Sequence, residues 1–333
     1  MYETGTAQAS AAPGLLVIRL GSMGDVIHAL PAVATLKHSF PGSHVTWAID
    51  PRWACLLEGN PFVDDVLQLD RRTFSGIAEA WRRLRSRRFQ CAVDFQGLFK
   101  SALVASVARP DRIYGFHQSQ AREPVAALFY SNRVKALSEH VVDRNLELVA
   151  AAGAASVVPA FPLPEGRPEG ELPEGDFVLA SPLAGWPAKQ WPLEHYSKLA
   201  HLLKSKLGMP LVLNSSPQAA CQRAPGVMVH ASSVAGLIDA TRRARAVVGI
   251  DSGPMHLAAA LARPGVAIFG PTDPARNGPY GQSFRVLRDV RAATSYKRRR
   301  EIDTSMRAVS PELVFEALEE RISSRNRRAH GSA

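Results

Sequence analysis

The sequence lacks the features of a membrane-spanning, secreted or disulfide-stabilised protein. Its 333 residues contain no apolar run near the ~20 residues needed to cross a bilayer. Residues 1–14 have neither a basic start nor an apolar stretch, so we expect no secretion signal. Cys55, Cys91 and Cys221 have neither disulfide nor metal-ligand spacing. We therefore expect a cytoplasmic protein with buried, reduced cysteines, and no metal or cofactor.

Aromatic residues are also scarce, at 7%, and they do not alternate with basic residues as they do in nucleic-acid-binding motifs. The net charge of +10 therefore favours a phosphorylated substrate or an anionic membrane over nucleic acid. Residues 81–88 (WRRLRSRR) end a helix-like stretch that starts near Ser75. This basic cluster is either a solvated helix face or a contact for anionic lipid headgroups, which attract each nearby basic residue by roughly 1 kcal/mol.

The length and a hydrophobic content of 46% predict two domains with substantial cores. Short apolar strands alternate with helical periodicity on both sides of a segment rich in proline and glycine, residues 158–175. Strands are predicted at 15–20, 44–49, 66–69, 91–95, 112–115, 177–180, 210–214, 246–250 and 266–269. Helices are predicted at 193–206, 234–243 and 255–262. This α/β pattern predicts two Rossmann-like, doubly wound domains that face a central cleft, where ligands bind at the carboxyl ends of the strands.

The first strand leads directly into a glycine turn, residues 21–25 (GSMGD), and then into a helix. Glycines allow close backbone approach, and the amides of a helix N-terminus favour an anionic ligand. The pattern is neither a dinucleotide-binding fingerprint nor a phosphate loop. Asp25 is either a helix cap, worth about 1 kcal/mol, or a carboxylate placed to accept a proton.

Two strand ends in the second half carry similar polar loops, at residues 250–256 (IDSGPMH) and 269–274 (FGPTDP). Asp251 has an alternative role as a helix cap, and His256 as a packed core residue. Lys189, before a helix, is either a surface lysine or an ammonium that meets a diphosphate. Arg122 and Arg144 are candidates for structural ion pairs or for bidentate anion binding.

Together these motifs resemble glycosyltransferase family 9, the lipopolysaccharide heptosyltransferases, and within it the heptosyltransferase I group. The similarity runs from residue 15 to about residue 322. It rests on residues 24–28 (GDVIH) with Leu30 and Pro31, and on residues 94–101 (DFQGLFKS), 121–124 (AREP), 251–256 (DSGPMH) and 270–274 (GPTDP). The AREP stretch points to the first heptosyltransferase rather than the second.

The resemblance implies a GT-B fold with an acceptor domain at 1–160, a nucleotide-sugar domain at 161–308, and a C-terminal part, 309–333. In that last part, a helix at 311–322 is expected to return to the first domain, followed by a basic tail. It also implies transfer of heptose from ADP-heptose to a Kdo sugar of lipid A–Kdo, by a monomer at the inner face of the cytoplasmic membrane. Asp25 falls on the general base. The donor side is assigned Ser22, Gly24, Lys189, Asp251, Ser252, Gly253, His256 and Thr272. The acceptor side is assigned Arg71, Arg72, Gln96, Lys100, Arg122 and Arg144.

The implied mechanism inverts the anomeric carbon without a metal, because Lys189 and helix amides near Ser252 and Gly253 stabilise the leaving diphosphate. One departure concerns residues 215–222 (SSPQAACQ), where heptosyltransferase I enzymes generally carry a glutamate that contacts the ribose. Three alternatives to heptosyl transfer remain: another sugar donor within the family, a nucleotide-sugar epimerase of the same architecture, and a binding protein without catalysis. The presence of both Asp25 and Lys189 counts against the last.

Overall fold

A computed structural model describes residues 13–70, 72–217 and 224–330 of the chain. These residues form two α/β domains, each built around a six-stranded parallel sheet. The near-continuous apolar strands predicted from the sequence are accordingly buried on both faces of their sheets.

The first domain alternates strands and helices as predicted. Its strands are β1 (Gly14–Ile18), β2 (His44–Ile49), β3 (Asp65–Gln68), β4 (Phe89–Asp94), β5 (Arg112–Phe116) and β6 (Asn132–Val134). Its helices are α1 (Met23–Ser39), α2 (Phe74–Arg85), α3 (Phe99–Val107) and α4 (Val141–Ala151), with 3₁₀ helices at Pro51–Leu57 and Pro124–Phe129.

The second domain repeats the alternation. Its strands are β7 (Val178–Ala180), β8 (Leu211–Ser215), β9 (Met228–Ala231), β10 (Ala246–Ile250), β11 (Gly265–Phe269) and β12 (Phe284–Arg288). Its helices are α5 (Leu193–Leu207), α6 (Val234–Arg243), α7 (Gly253–Ala260), α8 (Pro274–Asn277), α9 (Thr304–Ala308) and α10 (Pro311–His330), with a 3₁₀ turn at Pro187–Lys189. The bounds of β2, β10 and α6 match the predicted ranges.

The two sheets have the same topology. Their strand orders are β3-β2-β1-β4-β5-β6 and, read from the corresponding edge, β9-β8-β7-β10-β11-β12. In each sheet the chain adds two strands on one side of the domain's first strand, β1 or β7, and then three strands on the other side. This reversal opens a crevice at the carboxyl ends of the strands. The prediction of two doubly wound domains is confirmed.

Helices cover both faces of the first sheet. Successive residues of a strand face opposite sides, and in β1 Leu15 and Val17 join one apolar core while Leu16 and Ile18 join another. The first core contains α1 and α4 and continues into the second domain. The second core contains Ala80 and Leu84 of α2 and Ala105 of α3. The first domain therefore has an inner helical layer towards its partner domain and an outer layer formed by α2, α3 and the 3₁₀ helix Pro124–Phe129.

The proline-rich segment joins the domains without helix or strand, and it packs closely against the protein. Phe161, Leu163 and Leu172 contact the shared core. The Arg242 guanidinium donates to the carbonyl oxygens of Leu163 and Pro164 at 2.9 Å. This connection is thus an ordered part of the fold rather than a free tether.

The prediction that the C-terminal helix returns to the first domain is wrong. Helix α10 packs on α5, β10, β11 and β12 of the second domain. Its apolar positions Val314, Ala317, Leu318 and Ile322 are buried in the core of that domain. The helical spacing was read correctly, but periodicity identifies an apolar face without identifying which surface covers it.

Candidate active site

A cleft of about 990 Å³ lies between the two domains. The carboxyl ends of the strands and the N-termini of α1, α3 and α7 border it, so backbone amides and polar loops converge there. Residues of both domains line it. Those that were predicted as site residues are Ser22, Gly24, Asp25, Gln96, Lys100, Arg122, Arg144, Lys189, Asp251, Ser252, Gly253, His256 and Thr272.

Helices α1 and α7 meet at the base of this cleft, where two glycines allow their close approach. A Cβ atom on Gly24 would lie 2.6 Å from Cδ2 of His256, and one on Gly253 would lie 2.8 Å from the Met23 side chain. Side chains at these positions would therefore push the domains apart. Both glycines were assigned to donor binding, and the structure gives each a packing role at the domain contact.

Asp25 lies in the first turn of α1, and its carboxylate makes contacts on both the helix side and the cleft side. Its Oδ2 accepts hydrogen bonds from the Ser22 amide at 2.9 Å and the Ser22 hydroxyl at 3.0 Å, which is a capping arrangement. The carboxylate also pairs with the buried Arg19 guanidinium, and Arg122 Nη1 lies 3.7 Å from Oδ2. Burial alone would raise the pKa of Asp25, but Arg19, Arg122 and the Ser22 hydrogen bonds together lower it. Asp25 is thus an ionised carboxylate at the cleft, able to accept a proton.

Asp251 and Lys189 form an ion pair on the opposite side of the cleft. Lys189 Nζ lies 3.0 Å from Asp251 Oδ2, and both side chains are nearly buried. Burial opposes ionisation of Asp251, but His256 and Lys189 lower its pKa to about 2. The Lys189 ammonium also lies 5.4 Å from the centre of the Trp186 ring. Asp251 thereby fixes an ammonium group at a helix N-terminus, a combination that suits a phosphate group.

Three histidines connect the domains beside this pair. His28 Nε2 and His256 Nδ1 are 3.0 Å apart, and His256 Nε2 lies 3.7 Å from Asp251 Oδ1. His140 Nδ1 accepts from the Val142 amide, so its Nε2 donates to the Gly278 carbonyl oxygen at 3.1 Å. The alternative of His256 as a packed residue is therefore partly correct, because the side chain is buried and also contacts the Asp251 carboxylate.

Several polar atoms of the cleft have no hydrogen-bond partner among the described residues. They are Ser252 Oγ, Thr272 Oγ1, Arg144 Nε and Arg19 Nε. Buried polar atoms are rarely left unpaired in a folded protein. Ser252 and Thr272 belong to the two polar loops that the sequence singled out, and their hydroxyls are available to a polar ligand.

The acceptor-side predictions differ in outcome. Lys100, Arg122 and Arg144 line the cleft, and the Arg144 guanidinium lies 5.5 Å from the centre of the Phe116 ring. Burial, followed by repulsion from Arg276, lowers the pKa of Arg144. Gln96 also lines the cleft, but its Oε1 accepts from the Leu20 amide at 2.8 Å and so joins the ends of β1 and β4.

The paired arginines before α2 are not placed in the cleft. Arg72 is exposed, its backbone amide donates to Asp70 Oδ1 at 2.9 Å, and it is not among the residues that line the cleft. Its position follows from the turn that leads into α2. Arg71 lies outside the described residues.

Sequence reasoning missed several side chains at the site, and four of them illustrate why. Arg19 is 4% exposed and pairs with Asp25, and an arginine at the end of an otherwise apolar strand was an available signal. His28 lay within a quoted motif but received no role. Trp186 and Arg276 also line the cleft, and they belong to segments without a local pattern.

Two kinds of feature are absent from the part of the chain that the structure describes. No group of three or more histidine, cysteine, aspartate or glutamate side chains is arranged to hold a metal ion. No helix has the combination of length and apolar character that a bilayer-spanning segment needs.

Two facing Rossmann-like domains with a polar cleft between them define the GT-B class of glycosyltransferases, and comparisons with known proteins agree. Residues 77–306 match glycosyltransferase family 9 (heptosyltransferase). Lipopolysaccharide heptosyltransferase 1 of Pseudomonas aeruginosa is 30% identical over 296 residues, which cover 81% of this chain and 82% of the relative. The chain belongs to glycosyltransferase family 9.

Solved structures support the same assignment. The structure of E. coli heptosyltransferase WaaC with ADP aligns with a TM-score of 0.72 and 26% identity, covering 92% of this chain and 99% of that one. WaaC with ADP-2-deoxy-2-fluoro heptose aligns over the same shares with a TM-score of 0.70 and 26% identity. The GT-B fold and the glycosyltransferase class expected from the sequence are confirmed.

Proposed function

We propose that this enzyme transfers heptose from ADP-heptose to a Kdo sugar of lipid A–Kdo, as a heptosyltransferase I. The observation that carries the proposal is that one cleft is lined by an ionised carboxylate, Asp25, on the first domain and by the Lys189–Asp251 ion pair on the second. Relatives and aligned structures that are named as heptosyltransferases, one holding ADP and one an ADP-heptose analogue, support this donor.

Asp25 is the general base of the proposed reaction. Its carboxylate takes the proton of the acceptor hydroxyl while that oxygen bonds to the anomeric carbon of the donor. The bond from this carbon to the diphosphate breaks on the opposite face, so the configuration inverts and ADP leaves. Arg19 and Ser22 hold the carboxylate in position for this step.

The second domain stabilises the departing diphosphate. The Lys189 ammonium supplies a positive charge, while the N-terminus of α7, at Ser252 and Gly253, borders the cleft and favours an anion through the helix dipole. The unpaired hydroxyls of Ser252 and Thr272 are further donors. Residues 218–222, part of the segment without the usual ribose-contacting glutamate, lie outside the described residues, so the nucleotide preference rests on the relatives.

The first domain binds the acceptor in this proposal. Lys100, Arg122 and Arg144 place three positive charges around the cleft, which suits an acceptor that carries carboxylate and phosphate groups. An acceptor linked to lipid A requires the enzyme to work at a membrane surface. We therefore assign the protein to the cytoplasm, bound peripherally to the inner membrane and acting as a monomer.

Mass spectrometry of the product tests the proposal directly. Purified protein is incubated with ADP-heptose and lipid A–Kdo, and we expect one heptose added to the acceptor together with ADP release. The matched control omits the acceptor. Turnover of the donor alone into an epimer would identify an epimerase instead, and transfer only to an acceptor that already carries a heptose would identify the second heptosyltransferase.

The proposed mechanism assigns no catalytic role to a metal, because Lys189 and helix amides supply the positive field. Transfer should therefore persist at an undiminished rate in excess EDTA, measured by the same product assay. Activity that disappears on chelation and returns with magnesium or manganese would contradict this part of the mechanism.

A further inference from the structure

We propose that the outer layer of the first domain docks onto an anionic lipid bilayer, through an apolar and basic face formed by α2, α3 and the 3₁₀ helix Pro124–Phe129. We call this surface the outer face. The proposal deepens the proposed function, on which its connection to a lipid-linked acceptor rests. It specifies which surface meets the membrane and in what orientation.

Helix α2 exposes an apolar stripe to solvent. Phe74, Ile77 and Trp81 are spaced three and four residues apart, so they lie along one side of the helix. Their exposed fractions are 94%, 48% and 52%. Ala80 and Leu84 bury the adjacent side of α2 against the sheet. The helix therefore needs only part of its apolar surface for folding, and the rest is presented outwards.

The neighbouring elements extend this surface. Phe99 and Leu103, one helical turn apart on α3, are exposed, as are Val125 and Leu128 on the 3₁₀ helix. Helix α3 packs beside both α2 and the 3₁₀ helix, and the rings of Phe99 and Phe129 are in contact at 5.5 Å. Single exposed apolar residues are ordinary, but a contiguous group of them marks an interaction surface.

The charges around the outer face complement anionic headgroups. Arg85 lies one turn beyond Trp81 in the same row of α2, and Arg82 lies beside that row. Arg85 is exposed and has no ion-pair partner among the described residues, and Lys100 is exposed beside Phe99. Glu79 pairs with Arg82, so these two charges offset each other, and Glu123 accepts from the Phe99 amide at 2.6 Å. The attraction to anionic headgroups is therefore assigned to Arg85 and Lys100.

The outer face is continuous with the acceptor side of the cleft. Phe99 precedes Lys100, and Val125 follows Arg122 by three residues; Lys100 and Arg122 both line the cleft. A lipid-linked sugar could therefore occupy the cleft while its acyl chains stay in a bilayer against the adjoining apolar side chains. This continuity favours a lipid surface over a protein partner. Aromatic side chains with flanking arginines also have the composition of interfacial membrane-binding helices.

Vesicle binding by the full chain tests the docking surface. The wild type and the Phe74→Ser/Trp81→Ser variant are sedimented with vesicles of phosphatidylcholine containing phosphatidylglycerol, or of phosphatidylcholine alone. The wild type should bind the anionic vesicles preferentially, and the double variant should bind them at least ~10-fold more weakly, because two aromatic anchors are lost. The matched control is Val290→Ser/Leu313→Ser, which removes exposed apolar residues of the second domain and should bind like the wild type.

An activity comparison separates this inference from the proposed function. With an acceptor embedded in vesicles, the Phe74→Ser/Trp81→Ser variant should transfer heptose at least ~10-fold more slowly than the wild type. With a soluble, deacylated Kdo acceptor it should match the wild type, which also shows that it is folded. If the wild type transfers heptose normally but does not bind vesicles, the docking surface would be overturned and the proposed function would remain intact.

Two further results would also overturn the inference. One is equal vesicle binding by the wild type and the double variant. The other is a wild-type dimer in sedimentation that the double variant abolishes, since a second copy would then cover the outer face. If the double variant loses vesicle binding and the wild type transfers heptose to no Kdo acceptor, the result would support docking and contradict the proposed function.

Discussion

His28 Nε2 and His256 Nδ1 lie 3.0 Å apart and join the first helix of one domain to the donor-side loop of the other. One of these nitrogens carries the hydrogen and the other accepts it. The two rings also pack edge to face at 4.2 Å between centroids. His256 in turn approaches Asp251, which holds Lys189. A single chain of contacts thus connects the domain interface to the candidate phosphate-binding lysine.

His28→Ala should weaken both folding and donor binding. It leaves a cavity and removes the partner of the buried His256 Nδ1, so the free energy of unfolding should fall by about 2 kcal/mol. Asp251 and Lys189 lose part of their support, so we expect the Kd for ADP, measured by calorimetry, to rise several-fold. His195→Ala, at a half-buried position on α5, should leave the Kd unchanged. An unaltered Kd in His28→Ala would show that the contact chain does not position the lysine.

Stability should fall as the pH drops below about 6.5, the ordinary pKa of histidine. Burial, followed by His256, His140 and Arg19, holds the pKa of His28 well below that value, against a smaller opposing effect of Asp251. The unfolded chain therefore binds a proton there that the folded chain does not, and each such group contributes up to about 1.4 kcal/mol per pH unit. Urea unfolding between pH 5 and pH 8 (about 1.5 units either side of that pKa) measures the slope. His28→Gln should flatten it, whereas His201→Gln on the surface should not.

Asp25→Asn separates the base from the helix cap. Ser22 is the N-cap of α1 and Asp25 is its N3 residue. An asparagine oxygen can still accept from the Ser22 amide, but the side chain accepts no proton at neutral pH, so kcat should fall by about 10² to 10⁴. The Kd for ADP should change little, because Lys189 and Asp251 belong to the other domain. Stability should also fall, because Arg19 loses its ionised partner. The control is Asp303→Asn, at the N-cap of α9, and a wild-type kcat in Asp25→Asn would reassign the base.

Arg122→Ala should change both acceptor binding and the pH profile. Loss of an anion-binding guanidinium should raise the acceptor KM much more than the donor KM, and Arg122→Lys should also be impaired because an ammonium lacks the planar fork. Arg122 is one of the groups that lower the pKa of Asp25. Its removal should therefore shift the acid limb of the kcat profile to higher pH. The control, Arg133→Ala on the exposed part of β6, should change neither the acceptor KM nor the pH profile. If Arg122→Ala behaves like this control in both measurements, Arg122 has no role at the site.

The sequence predicted features with a local or periodic signal. Alternating strands and helices predicted both sheets, and parallel topology brings strand ends together, so Asp25 and Asp251 were found at the cleft. The edge strands β6, β9 and β12 were missed because they are short and, in part, exposed. The His28–His256 contact joins residues that are 228 positions apart in the sequence. The docking of α10 likewise depends on which surface covers its apolar face. No local pattern encodes either choice.

The close approach of α1 and α7 has a mechanical consequence. Neither Gly24 nor Gly253 leaves room for a methyl group between the helices, so this contact is the natural fulcrum for any swinging of one domain against the other. Points near a fulcrum travel least. Asp25 and Asp251 lie one and two residues from these glycines. We therefore expect the Asp25 carboxylate and the Asp251–Lys189 ion pair to keep their spacing while the distant mouth of the cleft widens to admit a large substrate.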